Sequence, residues 1–128
     1  MKGGPEQQVK NQISDFLNFK GIFFWWNHST GMFDPTRKQY RKRNGKYDMR
    51  GTSDILGIFK GRLLAIEVKA TTKPSQHQIL FLTRVIEAGG IGMVAYSVQD
   101  VIELLDAGPE MLLNALLEPQ KNDKTAIS

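Results

Sequence analysis

Three charged residues interrupt a stretch that otherwise has the pattern of a buried β-hairpin, SDILGIFKGRLLAIEVKA at 53–70. They are Asp54, Glu67 and Lys69, and unpaired charges are costly to bury. With a two-residue turn at 60–61, pairing outward along the two strands places Asp54 directly opposite Glu67. Lys69 lies two residues beyond Glu67 and therefore shares its face of the sheet. The spacing thus predicts two carboxylates and one amine at the open end of the hairpin.

Two carboxylates that face each other across a strand pair repel, so the pair either takes up a proton or attracts a cation. Oxygen ligands of this kind suit Mg²⁺ or Mn²⁺. The alternative is structural, an ion pair between Lys69 and one of the two carboxylates. The spacing alone leaves both interpretations open, the metal site and the ion pair.

Two further polar residues are predicted to point towards the same cluster. Glu6 lies seven residues before Ile13, so it follows the apolar stripe of an N-terminal helix towards the sheet. Gln78 lies seven residues before Val85, on the stripe of a second helix. Each has a plain alternative, since a Glu favours a helix N-terminus through the dipole and a Gln can be a satisfied buried amide. Together with the hairpin charges, they predict a polar cluster that a core does not need.

The rest of the chain predicts the elements that position this cluster. Helices are predicted at 5–20, 75–88, 98–108 and 109–118, and strands at 22–26 and 91–97 beside the hairpin. Residues 27–51 predict a long irregular segment, which in a small domain is often functional. This order predicts an α/β fold with a mixed central β-sheet flanked by helices.

Domain organisation follows from the same reading. Both faces of the hairpin are mostly apolar, so we expect it to be central in the sheet and covered on both sides. The 128 residues suit one domain, which we place at 1–119. The polar residues 120–128 have little to bury and predict a flexible C-terminal tail.

The positive charge of the chain is concentrated in one segment. The net charge is +4, but residues 37–50 hold seven basic residues and one acid, a net +6 that leaves −2 for the rest. A localised basic segment with tyrosines is typical of nucleic-acid binding, and its alternative is a solvated basic loop. The predicted DNA-binding residues are Arg37, Lys38, Tyr40, Arg41, Lys42, Arg43, Lys46 and Arg50.

Several classes of protein are disfavoured by composition. The chain has no cysteine, so disulfides and thiolate metal sites are excluded. The first residues, MKGGPEQQVKNQ, contain no apolar segment of the secretory type, and no apolar run approaches the length of a membrane helix. We therefore expect a cytoplasmic protein with no membrane partner.

The ordered set of motifs is similar to a known family. The pair SD and EVK resembles the signature of the PD-(D/E)XK nuclease superfamily. Glu6, GTSDILGI, GRLLAIEVKA, QILFL and the GG before a strand resemble, over about residues 6–98, the VRR-NUC domain of phage and bacterial stand-alone proteins. Ser53 stands where the superfamily name has Pro, which carries no chemistry. The resemblance implies a restriction-endonuclease-like core.

The resemblance also implies roles for individual residues. It implies that Mg²⁺ or Mn²⁺ is bound by the carboxylates of Asp54 and Glu67 and by the backbone carbonyl of Val68. Glu6 would complete the site, directly or through water. Lys69 would orient and help to deprotonate the attacking water, and Gln78 would position Lys69 or that water.

The reaction that these roles imply is the hydrolysis of phosphodiester bonds. Small stand-alone members resemble homodimeric Holliday-junction resolvases, so we expect a homodimeric, structure-specific DNA endonuclease. Its substrate would be Holliday junctions or other branched DNA in phage or bacterial replication, recombination or repair. The alternatives are a non-catalytic nucleic-acid-binding module with a nuclease-like fold and a less structure-selective DNA nuclease.

Overall fold

The computed structural model describes residues 3–28, 46–47 and 49–107, and the backbone of 33–34 and 39–40. The predicted helix at 109–118 and the predicted tail at 120–128 lie outside the described residues. So do five of the eight predicted DNA-binding residues: Arg37, Lys38, Arg41, Lys42 and Arg43. Among the described residues, no helix is both long enough and apolar enough to cross a membrane.

The chain folds as an α/β domain with three helices and a four-stranded mixed sheet in its described part. The helices are α1 (Pro5–Phe19), α2 (Gln76–Glu87) and α3 (Val98–Ala107). The strands are β1 (Phe23–Trp26), β2 (Phe33–Asp34), β3 (Gln39–Tyr40), β4 (Ile55–Phe59), β5 (Arg62–Val68) and β6 (Ile91–Ala95). The sheet order is β1-β4-β5-β6, with β6 parallel to β5 and the other neighbours antiparallel. This confirms the predicted α/β class and mixed sheet.

The sequence predicted that segment 27–51 is irregular, but part of it is regular. β2 and β3 pair within it as an antiparallel two-stranded sheet. The connection between them, 35–38, has four residues, which is a common length for a hairpin loop. Each strand is only two residues long, so neither produces a recognisable alternation in the sequence.

The hairpin that carries the charged residues has the predicted turn and register. Lys60 and Gly61 have φ angles of 51° and 80°, which is the left-handed pair of a two-residue type I′ turn. From this turn the strands pair outward to Ile55 and Ile66. The next pair in the same register is Asp54 and Glu67, as the spacing predicted.

The two faces of the sheet are covered unequally. One face packs on α1 and α3 around a core that includes Ile13, Leu17, Leu64, Ile66, Met93, Val101 and Leu104. The other face packs on α2 through Ala65, Leu82 and Val85, over β5 and β6. The predicted cover on both sides is therefore wrong for part of the sheet. Ile58 and Leu63 were expected to be covered on the face that carries Asp54 and Glu67. They are exposed there, because α2 lies towards β6.

Candidate active site

The end of the hairpin places Asp54 against the last residues of β5. β4 begins at Ile55, so at this point the ladder lacks a regular partner for the Val68 N–H. The Asp54 side chain supplies one, since its Oδ2 accepts from the Val68 N–H at 2.9 Å. The Asp54 carbonyl in turn accepts from the Asn27 N–H at 2.8 Å. Asp54 is thus fixed between β1 and β5, with its second carboxylate oxygen outside these bonds.

Glu67 is the most deeply buried charged side chain at this end of the sheet, with 2% of its surface exposed. Its Oε2 accepts from Gln78 Nε2 at 2.6 Å and lies 3.7 Å from Lys69 Nζ. Its Oε1 is buried and has no hydrogen-bond partner among the described residues. A buried carboxylate oxygen without a donor is rare, and it indicates a missing proton, water or cation.

The pKa of Glu67 is raised from its ordinary 4.5 to about 8, and burial is the largest cause. The negative charge of Asp54 contributes to this rise, and the ammonium of Lys69 opposes it. The protonated carboxyl can also donate a hydrogen bond to Asp54, and the charge of Glu6 adds a smaller rise. Around neutral pH the pair therefore retains a proton, and a divalent cation in its place would satisfy both carboxylates.

The amide of Gln78 is held by the first turn of α2. Gln78 Oε1 accepts from the Ser75 N–H at 2.8 Å, and the Gln78 N–H donates to Ser75 Oγ at 3.2 Å, which is a capping box. Because Oε1 is occupied in this way, Nε2 must face Glu67. Gln78 therefore contacts Glu67, and its predicted role of positioning Lys69 or the attacking water stays a prediction. Ser75 was not among the predicted site residues, although the S-x-x-Q spacing at 75–78 is a recognisable signal.

Lys69 and Glu6 lie at the same end of the sheet in different settings. The Lys69 N–H extends the β5–β6 ladder by donating to the Ala95 carbonyl at 3.0 Å, and its side chain is 15% exposed. Its amine can therefore reach both Glu67 and solvent. Glu6 is exposed in the first turn of α1, near enough to influence the pKa of Glu67.

The donors fit a small hard cation held by few ligands. Within the described residues, no group of three or more His, Cys, Asp or Glu side chains is arranged to hold a metal ion. The available set is the opposed carboxylates of Asp54 and Glu67 with the backbone of Val68. The Val68 N–H faces Asp54, and in an extended strand the carbonyl of the same residue faces the same side. Mg²⁺ accepts so few protein oxygens, because it usually keeps several waters.

Two polar residues next to the site were missed by the sequence interpretation. Asn27 continues the β1–β4 register by one residue and therefore lies opposite Asp54, on the same face as Glu67. Its Nδ2 is buried without a partner in the described part of the chain, as is Ser53 Oγ. The signal for Asn27 was its position two residues after Trp25, but it stood at the start of a segment predicted to be irregular.

The end of the basic segment lies against the start of α2. Gly51 has a φ angle of 76°, and a Cβ there would overlap the His77 carbonyl and the Gln78 backbone nitrogen. This close approach places Arg50, which is exposed, next to the turn that holds Gln78. Lys46 is also exposed, and only the backbone of Tyr40 is described. The contacts of these side chains with DNA stay a prediction.

Comparison with known proteins adds no relative, since no protein-family model matches the chain and no curated protein is significantly similar to it.

Proposed function

We propose that the protein is a metal-dependent DNA endonuclease with a restriction-endonuclease-like core. The observation that carries the proposal is the Glu67 carboxylate, which is 2% exposed, lies opposite Asp54, and has one oxygen to which no described residue donates. A fold gains nothing from burying such a group, whose desolvation costs several kcal/mol. A buried carboxylate of this kind is what a site for a hard cation needs.

The residues divide the work of phosphodiester hydrolysis between them. Asp54 and Glu67, with the Val68 carbonyl, would hold Mg²⁺ or Mn²⁺, which when bound supplies Lewis-acid chemistry at the phosphate. Lys69 Nζ, 3.7 Å from Glu67, would orient the attacking water and, as a positive charge beside it, help that water to lose a proton to solvent. Gln78 keeps Glu67 Oε2 in a fixed direction through its 2.6 Å bond.

The preferred substrate would be branched DNA, cut by a homodimer. The basic segment supplies charge for several phosphates, and two sites in one dimer would face two strands of a four-way junction. This part of the proposal rests on the sequence resemblance and on charge. A dimer should release paired nicks, one in each of two opposed strands, and sedimentation should give twice the chain mass.

One observation favours a second candidate, a non-catalytic nucleic-acid-binding module. Lys69 and Gln78 both contact Glu67 Oε2, so half of that carboxylate is already satisfied by the protein. In this reading the proton shared with Asp54 completes the cluster and no cation enters. The two candidates differ in one measurable property, the response to Mg²⁺.

The test is cleavage of end-labelled four-way junction, flap and blunt duplex DNA in Mg²⁺, Mn²⁺ or EDTA. We expect cleavage of the branched substrates only with metal. Lys69→Ala should lower the cleavage rate at least 100-fold, since it removes the group that orients the attacking water and helps it to lose its proton. The protein should still fold and bind DNA. Lys73→Ala, a matched change at an exposed residue of the β5–α2 connection, should leave the rate unchanged.

Binding without cleavage in every metal would overturn the nuclease proposal in favour of the second candidate. A Lys69→Ala variant that cleaves at the wild-type rate would remove Lys69 from the mechanism. Unfolding of Lys69→Ala together with an absent metal response would identify the Lys69–Glu67 contact as a structural ion pair.

A further inference from the structure

One face of β1 continues the floor of the candidate site. Phe23 pairs with Ile58 and Trp25 with Leu56, and the same register brings Asn27 opposite Asp54. Alternate residues of a strand share a face, so Phe23, Trp25 and Asn27 all lie on the face that carries Asp54 and Glu67. Neighbouring positions on this face are about 6.7 Å apart along the strand. This spacing is similar to the distance between a phosphate and the base of the same nucleotide.

Asn27 carries a hydrogen-bond donor that has no acceptor among the described residues. Its Nδ2 is buried and unpartnered among the described residues, although the backbone of the same residue is well fixed by its 2.8 Å bond to Asp54. A buried amide without a partner costs about 1–3 kcal/mol. Asn27 as a whole is half-buried, so a rotation of its amide would let it donate to a phosphate oxygen beside the proposed site.

Trp25 and Phe23 form an aromatic surface beside this donor. Their ring centroids are 5.4 Å apart, and 69% of Phe23 and 41% of Trp25 are exposed. α2 packs over β5 and β6, so the half of this face formed by β1 and β4 is left open by the described residues. The open half is thus apolar and aromatic, and it adjoins the carboxylates.

The size of this surface argues against a second copy of the chain as its occupant. Phe23, Trp25, Ile58 and Leu63 together expose roughly 400 Å², judged from their exposed fractions and usual side-chain areas. A stable dimer buries about 800 Å² on each partner. Flat aromatic rings beside a phosphate donor suit unpaired nucleobases better, because every base has a face that can stack.

We propose that this face of β1 binds an unpaired stretch of DNA next to the scissile phosphate, with Asn27 on a phosphate oxygen and Trp25 stacked on a base. The inference rests on the proposed nuclease function and adds to it the class of substrate. A stacked base must be unpaired, so the strand has to be single-stranded beside the cut, as it is at a flap, whereas a fully paired four-way junction would have to open a base pair at its branch point.

The chain offers a direct optical test, because Trp25 and Trp26 are its two tryptophans and lie on opposite faces of β1. Trp26 faces α1, where its Nε1 donates to Ser14 Oγ at 2.8 Å. In Trp26→Phe the emission reports Trp25 alone, and in Trp25→Phe it reports Trp26 alone. Both full-length variants are titrated with single-stranded, flap and blunt duplex DNA in EDTA, so that quenching is read without cleavage.

We expect single-stranded and flap DNA to quench Trp25 and leave Trp26 nearly unchanged, with little quenching by blunt duplex. Trp25→Ala should weaken binding of the flap about 5- to 150-fold, the range for loss of one stacked base. Trp25→Phe should keep part of this affinity. Asn27→Ala should weaken it about tenfold or more, as expected for a lost bond to a charged group. Leu80→Ala, which removes exposed apolar surface from α2, is the matched control and should bind as wild type.

Binding of flap DNA, measured by anisotropy, without any change in Trp25 emission would overturn the inference. So would a Trp25 emission that shifts with protein concentration but not with DNA, since that would mean that a second copy covers the face. Neither result touches the nuclease proposal, which is judged by cleavage in Mg²⁺. Conversely, if DNA quenches Trp25 but the protein never cleaves DNA, the proposed binding face would be supported and the nuclease proposal would be overturned.

Discussion

At the scale of single residues, the proposed chemistry depends on whether a cation can replace the proton that Glu67 retains near neutral pH. The carboxylate is buried opposite Asp54, and its pKa is raised to about 8 by that burial and by the neighbouring charge. Lys69 at 3.7 Å relieves only part of the cost. In the proposed metal site, a cation and a proton would therefore compete for the same oxygens.

This competition predicts how the stability of the metal-free protein changes with pH. The pKa of Glu67 is about 8 in the folded protein and near 4.5 when unfolded, so the folded state holds its proton more tightly. The contribution of Glu67 to the free energy of unfolding should then be complete below pH 4.5 and fall as the pH rises towards 8, by up to about 1.4 kcal/mol per pH unit. Urea unfolding in EDTA at several pH values measures this slope.

Glu67→Gln should flatten the pH dependence between 4.5 and 8, and Glu87→Gln, at an exposed end of α2, should not. Saturating Mg²⁺ should restore stability at pH 8 in wild type, by about 2.7 kcal/mol at 100 times Kd. The same pH slope in wild type and Glu67→Gln would show that Glu67 does not titrate as its burial requires.

At the scale of elements, the first turn of α2 links helix capping to the site. Ser75 caps the helix, and the reciprocal bond fixes the Gln78 amide towards Glu67. α3 begins with a comparable cap, in which Ser97 Oγ accepts from the Asp100 N–H at 3.3 Å. α3, however, packs on the opposite face of the sheet. The two serines therefore separate the effect of capping on stability from its effect on the site.

We expect Ser75→Ala and Ser97→Ala each to lower the free energy of unfolding by about 1 kcal/mol, the usual cost of a lost N-cap. Only Ser75→Ala should lower kcat, by up to about 100-fold, because losing the bond to Ser75 Oγ loosens the turn whose Ser75 N–H holds Gln78 Oε1, and small displacements in a site slow the reaction steeply. Urea unfolding and cleavage kinetics on the same two variants decide this. Equal kcat values in both would show that Gln78 is held without its cap.

Gly51 offers a second test at this scale, because it joins the basic segment to α2. Gly61 is its matched control, since it has a similar φ angle of 80° but open space where a Cβ would stand. Gly61→Ala should cost about 1–2 kcal/mol for the left-handed backbone alone. Gly51→Ala adds an overlap with the His77–Gln78 peptide, so it should cost more and also slow cleavage. Thermal unfolding and cleavage rates measure the two effects, and equal losses for both glycines would show that the contact is unimportant.

At the scale of the whole molecule, local signals predicted the hairpin and its charged end well. The turn at 60–61 and the alternation on both strands were sufficient to place Asp54 opposite Glu67, because register follows from turn and pattern. The exposed positions of Ile58 and Trp25 could not be predicted in this way. An apolar face indicates that cover is possible, but the placement of α2 over β5 and β6 depends on tertiary packing. Asn27 was missed for a related reason, since its partner lies on a strand distant in sequence.

The uneven charge of the molecule predicts the salt dependence of DNA binding. The segment 37–50 carries +6 and the rest of the chain −2, so phosphate contacts should come mainly from this segment. Each contact with duplex DNA contributes about 0.9 to the slope of log affinity against log salt. Replacing Arg41, Lys42 and Arg43 with Ala should therefore flatten that slope by about 2 to 3 per protomer, while turnover of saturating DNA changes little.

The control removes the same charge from the opposite end of the sheet, away from the site. Its three changes are Lys20→Ala after α1, Lys60→Asn in the β4–β5 turn and Arg84→Ala in the last turn of α2. If only net charge matters, both triple variants will flatten the slope alike. If the basic segment contacts the phosphates, the control will keep nearly the wild-type slope, because exposed charges beyond a Debye length of about 8–10 Å are screened. An unchanged slope in the Arg41, Lys42 and Arg43 variant would mean that the segment faces solvent or a partner protein, and that DNA binds on another surface.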